Sequence, residues 1–322
     1  MRIHEPSLQQ RVVHWILISL LCASLLLGVV TPVKAVSEVV RFERISVDQG
    51  LSQSWVRSII QDWRGFLWIG TEDGLNRYDG YEFELYRHDL DDPTSLADNN
   101  AIALLEDIHQ RLWVGTLNGL DRLDPSTDSF IHYRYDPYDS TSLGGMEISA
   151  LYEDRQGVLW VGTEDGGLNR YNATSDSFTR YLHDAADPTS LSDNDVLSIY
   201  EDRQGVLWVG TAAGGLNAFD RTTGKFTRYR ANSADPSSLS SDAVHAIFED
   251  SQGTLWVGTD TGGLNRFDRA TGIFRHYHNE LGNAFSLSGD EVRAIYEDRN
   301  GELWIGTKAG LNRLDRDKDR FI

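Results

Sequence analysis

The sequence predicts an all-β chain, folded as a β-propeller of four-stranded antiparallel blades. Three observations carry that prediction. The pentapeptide Leu-Trp-(Val/Ile)-Gly-Thr occurs six times, around Trp68, Trp113, Trp160, Trp208, Trp256 and Trp304. Successive tryptophans stand 45, 47, 48, 48 and 48 residues apart, the near-constant period of a repeat array. Within each unit, short apolar runs alternate with turn residues, the pattern of strands joined by hairpins.

Residues 195–230 show one unit most clearly. Val196-Leu197-Ser198-Ile199-Tyr200 reads as a first strand, and Glu201-Asp202-Arg203-Gln204-Gly205 as the turn after it. Leu207-Trp208-Val209-Gly210-Thr211 is the second strand, and Gly214-Gly215 turns the chain into a third, Leu216-Asn217-Ala218-Phe219-Asp220. Thr223-Gly224 leads to a fourth strand, Phe226-Thr227-Arg228-Tyr229. A lone sheet of this kind is apolar on both faces. Six in tandem can bury those faces against one another around an axis. A β-solenoid would need shorter repeats and parallel ladders, whereas these are hairpin turns. The six copies leave two expectations, a six-bladed ring or a fragment of a seven-bladed one.

Positions that recur in every unit are read as structure. Each motif tryptophan is expected in the core, burying ~150–250 Å² between blades. The third residue of strand one is Ser58, Ala103, Ala150, Ser198, Ala246 or Ala294, small where inner strands crowd. An aspartate follows each first strand: Asp62, Asp107, Asp154, Asp202, Asp250 and Asp298. Six copies of one acid point to a turn whose backbone N–H groups the carboxylate accepts, rather than to catalysis. The Gly-Gly pairs at 166–167, 214–215 and 262–263 are turn glycines, not a nucleotide loop.

The ends of the array leave its closure open. Phe42 and Ile45 match the spacing of Phe226 and Tyr229, so residues 41–46 could serve as the last blade's fourth strand. Leu314-Asp315 and Phe321 align with Leu123-Asp124 and Phe130, which favours the fragment reading. Some closure is expected, because an exposed sheet edge invites aggregation.

The first 35 residues read as an export signal or a membrane anchor, and residues 36–322 as the propeller. Arg2 and Arg11 precede an apolar run from Trp15 to Val30, and Val33-Lys34-Ala35 offers small-residue cleavage. The run is just short of a spanning helix. Either reading places the propeller outside the cytoplasm, in the periplasm. Cys22, the only cysteine, lies in that run, so cleavage after Ala35 leaves no disulfide to form.

Lys and Arg number 30 against 49 Asp and Glu, a net charge of −19. No basic face is visible, which excludes a nucleic-acid footprint. No phosphate-binding loop with its lysine, His-Glu-x-x-His or serine nucleophile elbow is present. His88 and His183 share a rim position in units too far apart for one site.

The informative positions vary between units while facing the mouth of the ring. The second residue of strand one is Arg57, Ile102, Ser149, Leu197, His245 or Arg293. The pair after each Gly-Thr is Glu72-Asp73, Leu117-Asn118, Glu164-Asp165, Ala212-Ala213, Asp260-Thr261 or Lys308-Ala309. Trp55 is the unit-specific aromatic just before strand one. The expected ligand-binding set is therefore Trp55, Arg57, Glu72, Asp73, Asn118, Glu164, Asp165, His245, Asp260, Arg293 and Lys308. Glu72, Asp73, Glu164 and Asp165 lack a calcium-loop signature, so no metal or cofactor is assigned.

The unit also resembles the two-component regulator propeller repeat. Val56, Ile59, Asp62, Gly65, Leu67-Trp68-Ile69-Gly70-Thr71, Asp73-Gly74-Leu75-Asn76-Arg77-Tyr78-Asp79-Gly80 and Phe83 carry the likeness, as does Asp48-Gln49-Gly50-Leu51-Ser52 before them. It spans about residues 41–322. The resemblance implies a seven-bladed periplasmic sensor domain ahead of a membrane helix and a histidine kinase, often a hybrid kinase, or another output domain. It implies a small-molecule or oligosaccharide ligand. The six copies depart from the family's blade number, and no kinase sequence follows them. The function expected is non-catalytic ligand sensing for a two-component phosphorelay, with a homodimer left open. Two alternatives remain. One is a lyase, since the repeats are also loosely similar to those of streptogramin lyases, and it would draw on His245 and Arg293. The other is a protein-interaction scaffold.

Overall fold

The computed structural model describes residues 44–322. The expected leader and residues 36–43 lie outside the described residues. Six four-stranded antiparallel sheets stand in a ring as a six-bladed β-propeller. Blade 1 comprises Val56–Gln61, Leu67–Thr71, Gly74–Tyr78 and Phe83–Tyr86. Blade 2 comprises Ala101–Glu106, Leu112–Thr116, Gly119–Asp124 and Ser129–Tyr133. Blade 3 comprises Ile148–Glu153, Leu159–Thr163, Leu168–Asn172 and Ser177–Tyr181. Blade 4 comprises Val196–Glu201, Leu207–Thr211, Leu216–Asp220 and Lys225–Tyr229. Blade 5 comprises Val244–Glu249, Leu255–Thr259, Leu264–Asp268 and Ile273–Tyr277. Blade 6 comprises Val292–Glu297, Leu303–Thr307, Gly310–Asp315 and Arg320–Phe321. The last of these strands comes from the end of the chain. Of the expected strand at residues 41–46, residues 41–43 lie outside the described ones, Arg44–Ser46 form no strand, and Ser46 caps a short 3₁₀ turn at Val47–Gln49. Among the described residues, no helix is long and apolar enough to cross a membrane.

The recurrent aspartate does more than cap a turn. Asp202 Oδ1 accepts N–H groups of Gln204 at 2.9 Å and Val206 at 3.0 Å. Its Oδ2 accepts the indole N–H of Trp208 at 2.8 Å. Asp62, Asp107, Asp154, Asp250 and Asp298 take the indole of their own blade at 2.8–3.1 Å. One carboxylate therefore closes the hairpin and orients the ring that will fill the gap to the next blade. Five motif tryptophans, Trp68 to Trp256, are buried.

Each interblade core is asymmetric. The leading blade contributes its Trp, a Leu from strand three and a Tyr from strand four. The following blade contributes the leucine before its first strand and the apolar residues of strands one to four. Trp208, Leu216 and Tyr229 thus meet Leu239, Val244, Ile247, Leu255, Val257, Phe267 and Phe274. The motif glycine lets the backbones approach. A Cβ on Gly210 would lie 2.6 Å from Val244 Cγ1 of the next blade, so no larger residue fits. The small third residue pairs across the ladder with that same glycine, Ser198 opposite Gly210, and is small for the same reason.

Polar braces repeat at the same junctions. The glutamate ending each first strand of blades 2–6 accepts a turn N–H of the blade before it, as Glu249 does from Arg203 at 2.7 Å. In blades 4, 5 and 6, Arg221, Arg269 and Arg316 reach back to Asp154, Asp202 and Asp250 of the preceding blade. The same guanidinium groups bond Glu201, Glu249 and Glu297 of their own blade. These buried carboxylates thus find partners, as burial demands.

Five junctions carry such a core among the described residues, and the junction between blade 6 and blade 1 does not. Leu311 is 52% exposed, whereas its equivalents Leu75, Leu120, Leu168, Leu216 and Leu264 are fully buried. Ile59 of blade 1 is 58% exposed, against 8–9% for Leu104, Ile199 and Ile247. Trp304 is half-buried. Trp208→Ala should therefore cost about 3–5 kcal/mol in denaturant unfolding, as for a fully enclosed aromatic. Trp304→Ala should cost clearly less, and equal losses would show that blades 6 and 1 do pack in solution.

Candidate functional site

The first strands of successive blades abut, so they line the centre of the ring. In all six blades the register between strands one and two slips at the second residue of strand one. Arg57, Ile102, Ser149, Leu197, His245 and Arg293 are thus the extra residues of β-bulges, which re-aim a side chain out of the ladder. Sequence periodicity picks out these positions but not the bulge, because one inserted residue leaves the repeat length unchanged.

The ladder then gains one further rung. The N–H of Glu164, Ala212, Asp260 and Lys308 donates to the carbonyl of Glu147, Asp195, Ala243 and Glu291 at 2.9–3.0 Å. The residue before strand one therefore stands beside the first residue after Gly-Thr. Glu147, Asp195 and Glu291 join the site in this way, and the sequence reading missed them. The signal was available, since all three share the unit position of Trp55.

Blades 5 and 6 hold one ionic network. Arg293 pairs with Glu291 at 2.5 Å and with Asp260 at 3.2 Å. Its Nη1 lies 2.9 and 3.1 Å from the two ring nitrogens of His245. Lys308 pairs with Glu291 at 3.1 Å. Burial, then the Arg293 charge, holds the His245 imidazole below its usual range. His245, Asp260, Arg293 and Lys308 are thus brought together.

Blades 1, 3 and 4 present a different surface. Arg57 pairs with Glu72 at 2.5 Å, and its guanidinium stands 5.3 Å from the ring centre of Trp55, itself 63% exposed. Burial and the adjoining Glu164 push Glu147 up to about 7, with Asp195 adding to the shift and Arg57 opposing it. Arg57 on blade 1 is therefore within electrostatic reach of Glu147 on blade 3. Burial, Glu164, Asp193 and Asp165 raise Asp195 to about 6. Carboxyls crowded this way retain protons that isolated ones lose.

Two other expected residues turn away from this group. Asp73 pairs with Arg87 at 2.5 Å, and Asn118 donates to Ala97 O at 3.3 Å, each on the loop beside its own blade. Asp165 is exposed with φ 61°. His88 and His183 place Nδ1 at 2.7 and 2.8 Å from Leu96 O and Leu191 O, steadying the loops into the next blade. Surface clefts of about 560 Å³ beside Arg266 and Arg269, and about 430 Å³ beside His88 and His132, lie apart from the mouth residues. Among the described residues, no group of three or more His, Cys, Asp or Glu side chains could hold a metal ion.

The two component regulator propeller family matches residues 95–118, 142–165, 190–213, 238–261 and 286–309. Each segment runs from the loop before a first strand to the turn after Gly-Thr, in blades 2 to 6. A solved structure described as the extracellular domain of a hybrid two component system of B. thetaiotaomicron is 26% identical, with a TM-score of 0.66. The likeness covers 84% of this chain and 41% of that one. A 56-residue stretch, 17% of this chain, is 48% identical to Histidine kinase P4 of Formosa agariphila and spans 4% of that protein. Virginiamycin B lyase of Staphylococcus aureus is 15% identical with a TM-score of 0.61 over 83% of both chains, a likeness of fold alone. The chain spans less than half the length of the two-component relatives.

The crowded acids predict a pH response. A carboxyl whose folded value is raised destabilises the fold as pH climbs from its ordinary range through the raised one. Glu147 places that fall between about 4.5 and 7. Thermal melts of the Glu147→Gln variant should lose part of the decline seen for the parent across that window. Superimposable profiles would mean that Glu147 ionises normally.

Proposed function

We propose that this chain, built from two component regulator propeller repeats, is the extracytoplasmic sensing module of a signalling protein. It binds a small polar molecule or an oligosaccharide at the mouth of the ring and passes occupancy to a membrane-bound histidine kinase or another output domain. One observation carries the reading. On a frame repeated six times, charge differs from blade to blade at the bulge and at the residues flanking it. A purely structural ring has no need of such asymmetry, whereas a site for one asymmetric ligand does. The extracellular domain that is 26% identical and the kinase segment that is 48% identical support the same reading.

The physical means are charge and shape. Arg57 and Trp55 offer a cation beside an exposed ring, suited to a sugar face or a carboxylate. Glu147, Glu164 and Asp195 offer acceptors on the facing blades, and the His245–Asp260–Glu291–Arg293 network offers both signs. Signal transfer would follow from preferential binding to one arrangement of the ring.

A lyase is the second reading, favoured by His245 beside Arg293 and by the lyase-like fold. Arg293 can donate to Nδ1 of His245 while the Nε2 hydrogen faces Asp260 at 3.3 Å, so that histidine would have to be released before it could take a proton.

A ligand screen by thermal shift tests the site, because a ligand selective for the folded state raises the melting temperature. Arg57→Ala and Arg293→Ala should each weaken a confirmed hit about tenfold or more, the worth of one charge-assisted contact. Unchanged affinity in both would remove the mouth site. Turnover of the hit in the presence of a divalent metal would replace sensing by catalysis.

A further inference from the structure

Blade 2 departs from its neighbours at one buried position. Five blades place an asparagine at the second or third residue of strand three: Asn76, Asn169, Asn217, Asn265 and Asn312. Each accepts, at 2.8–3.1 Å, the N–H of the residue that follows the buried loop leucine. Its amide nitrogen donates to a strand-two carbonyl, as Asn217 does to Val209 O at 3.2 Å. Blade 2 has Asp121 instead, fully buried. Asp121 Oδ2 accepts the N–H of Ala97 at 2.7 Å, so the loop is held as elsewhere. A carboxylate has no hydrogen for the rest of the role.

His132 partners the carboxylate instead. Its Nδ1 lies 2.6 Å from Asp121 Oδ1, and its Nε2 lies 2.9 Å from Pro93 O. With Asp121 ionised, both ring nitrogens face acceptors, which the doubly protonated imidazolium satisfies. Blades 3 and 4 have arginine at the His132 position. Arg180 and Arg228 donate Nε to Ser142 O and Ser190 O of their own loops at 2.9 and 3.0 Å. The loop of blade 2 is thus held from the same strand position, at a carbonyl two residues earlier, by a group that titrates near neutrality; blade 5 also has a histidine there, His276, but it faces Ser238 O and stands opposite an asparagine.

We propose that Asp121 and His132 form an acid-dependent clamp that fastens residues 93–97 to blade 2 and releases them when the imidazolium loses its proton. The released loop bears on the mouth, because Asn99 O accepts the N–H of Gly74, two residues from Glu72. Other ionisable groups around the ring are Arg134, two residues along the same strand, and His88, Asp89 and Asp92 on the clamped loop. Arg134 opposes the proton on His132, while the bond from Asp121 favours it more strongly and raises His132 above its usual range. Burial works against charge on Asp121, so the pair needs that proton more than an exposed pair would. The sign follows from the raised histidine. The clamp is complete below the ordinary histidine range near 6.5 and fails as pH climbs through the folded value.

Hydrogen exchange of the Ala97 amide, corrected for the intrinsic rate, reads the clamp directly. In the intact protein, protection should fall by about tenfold per pH unit above the folded histidine value, the slope of one proton. Ala97 equivalents in blades 3 and 4, Gly144 and Ser192, whose loops arginines hold, should not respond. His132→Arg keeps a permanent cation and should hold Ala97 protected to high pH, with the step gone. Asp121→Asn with His132→Arg copies blades 3 and 4 and should also be flat. No step in the parent, or a step that survives His132→Arg, overturns the clamp.

Discussion

The bond from each turn aspartate to the indole of its own blade is the interaction on which the propeller depends. It spends one carboxylate on two tasks. One oxygen closes the hairpin between strands one and two, and the other holds the indole of the tryptophan that meets the next blade. A free aspartate in a turn would be a matter of local propensity. Anchored to a buried indole it becomes a tertiary constraint, because the turn cannot move without disturbing the interblade core. Burial of the polar atoms is tolerable since each has a partner, and in blades 3 to 5 an arginine from the following blade completes the set.

That arrangement explains why stability is distributed by junction rather than by blade. Each blade lends its tryptophan, leucine and tyrosine forward and receives the same from behind. The backbones meet at the motif glycine, where an added side chain would collide with the neighbour. Blades 1 and 6 have one such contact each among the described residues. Their outward faces keep the residue types of an interface, Ile59 on one side and Leu311 with Trp304 on the other, in partly exposed form.

Function rests on the few positions the frame leaves free. The bulge in every first strand takes one residue out of the ladder, so its identity can change without loss of pairing. The residue before it and the residue after Gly-Thr share a further backbone rung and vary for the same reason. Arg57, Glu147, Asp195, His245, Glu291 and Arg293 are placed by that logic into two neighbourhoods of different charge. Blade 2 shows the same freedom in the loops, where Asp121 and His132 replace an asparagine and an arginine and make one clamp dependent on a proton.

Much of this was written in the sequence. The period of the tryptophans, the hairpin glycines and the alternation of apolar residues determined the four-stranded unit, its six copies and the structural role of the recurrent aspartate. These depend on local spacing, and local spacing is what a sequence displays. The tertiary structure alone decided which variable residues meet. Asp73 and Asn118 look as exposed in sequence as Glu72 and Glu164, yet they turn to their own loops, where Arg87 and the Ala97 carbonyl engage them. Glu147 and Asp195 acquire raised values from burial and from charges brought up by other strands and blades. The unsatisfied junction between blades 6 and 1 was equally invisible, since whether two faces meet depends on the curvature summed over all six blades and on no single repeat.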